Sequence, residues 1–393
     1  MGNLPGVYIT LGNGNLGRTA STSDGVAGLV LTGKAVEGKL ELNKHYLLSG
    51  TADLATLGIA PEDNRLIDKE VRAFYAHAGE GAELHLLVVA EATTLTAMCD
   101  PGDGSPVGKL LDAAGGRIRL LGVNKILPEE YDLVTDQGID ADVVAALEKI
   151  QQNAEAARKA IRPFRALLPA VAWTGSTDNL YKPRSSSYND AALVLASDDP
   201  DGHTAAIGQV LGRASKIEVH QSIGRVKDGA IATTGYFTDG SLYTDRSGMA
   251  EILNDAGYIF YMKYPTRNGC YLNGDPMAAP VTDDYSQLYL GRVVDKAVTI
   301  IYDTYITEVL DNISINDDGT LDQNQCIYLQ NQIIDAVTSQ MDGQISSFDA
   351  YIDPAQNILA TGNLQVSTSI VPMGVINRIN VDLAFSNPAK TSD

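Results

Sequence analysis

Apolar positions recur along this chain in two rhythms, and their alternation predicts the architecture. Leu66, Ile67, Val71, Phe74 and Tyr75 fall on one side of a 3.6-residue period, which predicts a helix over 64–78. The run Glu83-Leu84-His85-Leu86-Leu87-Val88-Val89-Ala90 is nearly continuous in apolar residues and reads as a buried strand, as does the shorter Gly28-Leu29-Val30-Leu31. A helix over 107–114 and a strand over 117–123 follow. A long helix then spans 140–164, capped by Asp140 and rich in Ala, Glu, Gln and Lys. Strands at 165–173 and 191–196 and a helix at 203–214 complete a β-α-β-α-β-β-α series, the order of helices packed on a largely parallel sheet.

Beyond a loop at Lys227-Asp228-Gly229 the pattern resumes with a strand over 230–237, a helix over 247–256 and a strand over 258–264. A helix over 289–310 carries Val294, Ala297, Ile301, Tyr305 and Val309 on one face. The polar turn Asn316-Asp317-Asp318-Gly319 leads to a second helix over 322–341. The closing extended runs cover 364–372 and 375–385. In the second, Ile379, Val381, Leu383 and Phe385 alternate with polar neighbours, which predicts a strand with one buried face. The fold class expected is α/β (α+β), with mixed sheets flanked by helices and an extended strand arm at each terminus.

The opening stretch PGVYITLGNGNLGRTA places Gly12, Gly14 and Gly17 at G-x-G-x-x-G spacing after the β-prone Val7-Tyr8-Ile9. A dinucleotide turn needs a helix starting at the third glycine to receive the pyrophosphate. The polar run from Arg18 to Gly25 has no helical period, so the glycines read better as the joint of an arm, and no cofactor is expected.

Composition narrows the classes further. With 29 Lys+Arg against 49 Asp+Glu, the formal charge is −20, and no basic cluster offsets it. A phosphate backbone would be repelled, so nucleic acid is not an expected partner. No apolar run reaches the roughly 18–20 residues of a membrane span, and the N-terminus lacks a secretory pattern. Cys99, Cys270 and Cys326 are scattered, which reads as buried thiols in a reducing compartment.

Candidate chemistry is sparse. None of His45, His77, His85, His203 and His220 has the i, i+4 spacing of a metal face, and Arg184-Ser185-Ser186-Ser187 lacks a nucleophile elbow. Asp198-Asp199-Pro200-Asp201-Gly202 has two readings: a divalent-cation site at a strand's C-terminal end, or an acidic entry loop at the positive end of helix 203–214. Ser314 to Gly319 imitates the first half of a calcium loop, but its twelfth position is Gln325 instead of a bidentate glutamate, so no metal is expected there.

Apolar strands at both ends, set off by flexible residues, suggest strands donated to the sheet of a neighbouring subunit. Here the sequence resembles the sheath proteins of contractile phage tails and related injection systems. The likeness rests on Leu4-Pro5-Gly6-Val7-Tyr8-Ile9, on the step Leu253-Asn254-Asp255-Ala256-Gly257-Tyr258, on the loop Pro265-Thr266-Arg267-Asn268-Gly269, on YLGRVVDKA opening a long helix, and on the closing INRINVDLAF. Between residues 20 and 220 it is architectural only. It departs from the family at Cys270-Tyr271, where the aromatic follows a cysteine, and in lacking an acidic run after the first strand.

The resemblance implies a non-enzymatic structural subunit that stacks in hexameric rings around an inner tube and contracts to drive that tube through a target envelope. Val7, Tyr8 and Ile9 with Ile379, Val381, Leu383 and Phe385 would be the exchanged strands, and Gly12, Gly14 and Gly17 the arm hinge. Helix 322–341, with Gln325, Gln332 and Asp335, would face the tube. The implied division is a linking arm over 1–20, an outer α/β domain over 21–225, a tube-proximal core over 226–371 and a linking strand over 372–393. Implied partners are other copies of the chain, the inner tube protein, and baseplate and terminator proteins, with assembly in the bacterial cytoplasm. Two rival readings are an α/β enzyme using the acidic loop at 198–201 and a non-contractile shell protein.

Overall fold

The computed structural model describes residues 23–102, 104–127 and 134–386. At its centre lies a seven-stranded sheet. Its strands are β1 (Ala27–Gly33), β2 (His45–Leu48), β3 (Leu84–Ala90), β4 (Leu120–Asn124), β5 (Arg165–Pro169), β6 (Ala191–Val194) and β7 (Tyr258–Ile259), in the order β7-β6-β5-β4-β1-β3-β2. All pairings are parallel except that of edge strand β2 with β3. β1 is buried at every residue, as a strand covered on both faces must be. Its register sets Leu29 between Leu86 and Gly122.

Helices cover both faces. One core holds α1 (Arg65–Ala78) and α4 (Ile207–Lys216), with Phe74 and Leu211 packed against Leu29, Leu31 and Leu86. The other holds α2 (Pro106–Ala113) and α3 (Ala141–Lys159), with Leu110 and Leu147 against Val30, Leu121 and Leu168. The ends of these helices follow their local sequences. Ser105 accepts from the Gly108 N–H ahead of Pro106, and Asp140 accepts from the Asp142 N–H. Helix α5 (Ala250–Ala256) stops at Gly257, whose φ of 98° lies in the left-handed region that only glycine enters freely. All three cysteines are free and buried.

A second unit follows, built from α6 (Leu288–Tyr305), α7 (Gln323–Gln340) and a two-stranded antiparallel sheet of β8 (Ile345–Tyr351) and β9 (Ser367–Pro372). Val293, Ala297, Ile300, Ile333, Val337, Phe348 and Ala350 form its core. The central sheet takes β7 from beyond residue 225, so the strands of one sheet lie on both sides of that position.

Several expectations are corrected. The helix expected from 203 begins at 207, because Ala206 N–H is bonded to Ala196 O and Thr204 Oγ1 to Lys125 O, which holds the segment against the sheet. The strand expected over 230–237 shrinks to Tyr236–Phe237, and 258–264 divides between two sheets. The long helices end early, at Lys159 and Tyr305. β8 was not anticipated: only Phe348 and Ala350 of its seven residues are buried, too few for an apolar pattern to stand out.

Candidate assembly surface

The outermost ladder of the second unit is short of partners. α7 packs on β8, so one face of the β8–β9 sheet is covered. Each strand of the pair has a single ladder partner among the described residues, which leaves two outer edges. On the uncovered face, Tyr351 and Val371 are exposed.

The chain continues from β9 into a tail whose alternation is as the sequence shows but whose burial is not. Ile379, Val381, Leu383 and Phe385 are 75%, 78%, 96% and 108% exposed, and residues 373–386 join no ladder among the described residues. The buried face expected for this strand is therefore not formed among the described residues. The physical reason is that none of the described surfaces of the subunit is presented to the tail. Ile376 is exposed as well. Val7, Tyr8 and Ile9 and the glycines 12, 14 and 17 lie outside the described residues.

Of the residues expected to face a tube, Asp335 is exposed on the ridge of α7 with Asn324, Ile327, Tyr328 and Asn331. Gln325 and Gln332 sit on the flank instead. Gln332 Nε2 donates to Glu308 Oε1 at 3.0 Å. Gln325 lines a cavity of about 430 Å³ with Glu308, Leu310 and Leu364. The capping Asp322 accepts from the Asn324 and Gln325 N–H groups.

The acidic loop at 198–201 is bound to cations of α1. Lys69 Nζ lies 2.6 Å from Asp198, and Arg65 Nη2 lies 3.2 Å from the buried Asp199 and 3.7 Å from Asp201. Among the described residues no group of three His, Cys, Asp or Glu side chains could hold a metal ion. The positive end of α4 is taken by Glu70 of α1, whose Oε2 accepts from the Gly208 N–H. Burial pushes the Glu70 carboxyl up to about 7, against the opposing effect of Lys69.

One cluster escaped the sequence reading because β2 and β3 are distant in the chain. His45 Nε2 lies 2.8 Å from His85 Nδ1, and His85 Nε2 lies 2.7 Å from Glu83, which also pairs with Arg117. Burial, then the neighbouring His85, holds His45 below its ordinary value. The turn at 314–319 is tied to the residues that follow it by Asn316, whose Nδ2 donates to Thr320 Oγ1 and to the Leu321 carbonyl.

Models of the two DUF2586 domains match residues 4–275 (N-terminal domain) and 284–390 (C-terminal domain), and their junction falls just ahead of α6. The chain belongs to the DUF2586 family. No curated protein matches its sequence. Among solved structures, this DUF2586 chain is similar to a chain of the anti-feeding prophage baseplate, at TM-score 0.63 and 14% identity over 98% of this chain and 100% of that one. It is similar also to the anti-feeding prophage helical sheath in its contracted state, at TM-score 0.61 and 13% identity over 98% and 100%. A sheath tail protein from Desulfitobacterium hafniense matches at TM-score 0.53 and 13% identity over 94% and 100%. The DUF2586 fold is thus that of contractile sheath proteins across nearly its whole length. No helix among its described residues is long and apolar enough to cross a membrane.

Proposed function

We propose that this chain is the structural subunit of a contractile sheath and that it is linked to its neighbours by exchanged terminal strands. The observation that carries the reading is the exposed, alternating apolar tail 376–385, which follows directly on a two-stranded sheet with open edges, in a fold shared with sheath proteins. A tail of one subunit adding to the β8–β9 sheet of another would satisfy both the edge and the tail. Repeated head to tail, such contacts do not close and build a tube. Val7, Tyr8 and Ile9 would supply a second exchanged strand, with Gly12, Gly14 and Gly17 as its hinge.

In this reading the subunits stack as hexameric rings around an inner tube protein, faced by α7 through Asp335 and its neighbours. Baseplate and terminator proteins close the ends, and the particle assembles in the bacterial cytoplasm. The role is structural and not catalytic, in keeping with the ion-paired carboxylates at 198–201.

The test is electron microscopy of the full chain beside versions lacking residues 1–17 or 373–393. Hollow tubes from the full chain, lost in both truncations, are expected. Small monodisperse particles from all three would overturn the reading, and flat or closed shells of one size would favour a non-contractile assembly.

A further inference from the structure

Helix α6 is apolar on more than the side it buries. Val293, Ala297 and Ile300 enter the core of the second unit. Val298 and Tyr302 stand one turn apart on another flank, and the row continues past the helix end with Ile306 and Val309. Together with Ile161 and Ile301 they line a groove of about 330 Å³. Tyr302, Ile306 and Val309 are exposed, so among the described residues this flank has no cover. A helix that is apolar on opposite sides is one that is covered on both.

The wall opposite α6 is held at a cost. After α3 the Ile161 N–H bonds Arg158 O at 3.0 Å and the Arg162 N–H bonds Ala157 O at 2.8 Å, a paired helix closure whose left-handed position normally holds glycine. Here Ile161 occupies that position at φ 58°, a strained conformation for a β-branched residue. Glycine would relieve the backbone and remove the wall.

The place where the described chain begins says what covers the groove. Asp24 Oδ2 accepts from Lys296 Nζ of α6 at 2.7 Å, which sets Ser23 beside this helix. The leading ends of β1, β4 and β5 are neighbours, since the Arg119 N–H bonds Val26 O and the Arg165 N–H bonds Arg119 O. Ile161 lies just ahead of β5, at that same end of the sheet. Leu11 to Ser23 can span about 40 Å when extended, more than the roughly 27 Å length of α6. Residues 4–11 carry no charge, and Val7, Ile9 and Leu11 share one face of an extended segment. A short tether rich in glycine and serine holds such a segment at an effective concentration of about millimolar. The apolar tail is described and lies exposed instead of in the groove.

We propose that in the unassembled subunit the groove on α6 binds residues 4–11 of its own chain, with Val7, Ile9 and Leu11 as the entering side chains. The bound segment covers the bare flank of α6 and repays the strain at Ile161. This deepens the sheath reading, and rests on it in one respect: the arm that is exchanged in the assembly has a resting place before exchange.

The test is amide hydrogen exchange, read by mass spectrometry, on the full chain carrying Leu383→Asp with Phe385→Asp to keep subunits single, over a range of concentrations. Amides of residues 4–11 are expected to exchange about tenfold or more slowly than in a free peptide of residues 1–17, equally at every concentration. Adding Ile306→Asp with Val309→Asp should return them to the free-peptide rate while the circular dichroism is unchanged. If that variant fails to fold, Ile161→Gly decides, since it relaxes the backbone and should release the segment too. Free-peptide rates in the parent chain would overturn the proposal, as would protection that survives the groove variants. Protection that grows with concentration would assign the groove to the arm of a second copy and overturn it equally. Tubes in micrographs test the sheath reading and exchange at 4–11 in single subunits tests this one, so either can fail alone.

Discussion

Arg165 at the start of β5 grips Asp295 in the middle of α6 through two parallel hydrogen bonds, Nε to Oδ2 at 2.6 Å and Nη2 to Oδ1 at 2.8 Å, with both residues buried. The pair joins the central sheet to the unit that carries the tail. Such a bidentate pair is directional, so it fixes the angle at which α6 leaves the sheet as well as its distance. Removing one partner strands the other charge, which costs about 3–5 kcal/mol in comparable buried pairs. Asp295→Ala should fall at the low end of that range, because Asp190 remains 2.7 Å from Arg165 Nη1. Urea unfolding measures it, and a midpoint equal to wild type would show that the joint does not depend on the pair.

Two glycines set the approach of α4 to α1. A Cβ on Gly208 would collide with the carbonyl of Glu70, and one on Gly212 with the carbonyl of Phe74. Backbone atoms cannot step aside as a flexible side chain can, so Gly212→Ala should destabilise the chain by about 1–3 kcal/mol despite the better helix propensity of alanine. Thermal unfolding is the measurement, and a stabilised variant would mean that the helices stand further apart.

Glu70 gives stability a pH dependence of definite sign. Its folded value of about 7 lies above the 4.5 of the free side chain, so between these values the folded chain holds a proton that the unfolded chain releases. Its contribution is therefore complete below about 4.5 and is lost as the pH rises through about 7. The burial of Asp275, raised to about 6, acts in the same direction at lower pH. Glu70→Gln keeps an oxygen for the Gly208 N–H and removes the titration. Denaturant midpoints at pH 5 and pH 8 should differ less in this variant than in the wild-type chain, and an equal difference would assign the dependence to other groups.

The tail separates assembly from folding. Because Leu383 and Phe385 are almost fully exposed among the described residues, Leu383→Asp with Phe385→Asp should leave the stability of the subunit within the ±0.5 kcal/mol usual for surface changes. Assembly should nevertheless be lost, since a charge would then face the neighbour's sheet. Circular dichroism and sedimentation read the two properties separately, and tubes formed by the double variant would rule out the tail as a linker.

Much of this fold was legible in the sequence where the cause is local. The stripe of Leu66, Ile67, Val71, Phe74 and Tyr75 is buried on α1, the apolar run at 84–89 is a covered strand, and Asp140 accepts from the Asp142 N–H at the helix start it was placed to cap. A period or a cap depends only on residues a few positions apart, and the chain carries that information wherever it lies. The pairing of His45 with His85, the carboxyl of Glu70 at the head of α4 and the grip of Arg165 on Asp295 join residues that are remote in sequence. No spacing rule contains them, because which distant side chains meet depends on strand order and helix packing.

The tail marks the boundary between the two kinds of information. Alternation at Ile379, Val381, Leu383 and Phe385 determined that one face of this segment is apolar. Only the tertiary structure decided that no surface among the described residues covers it, because burial is a property of a pair of surfaces and the sequence pattern describes just one of them.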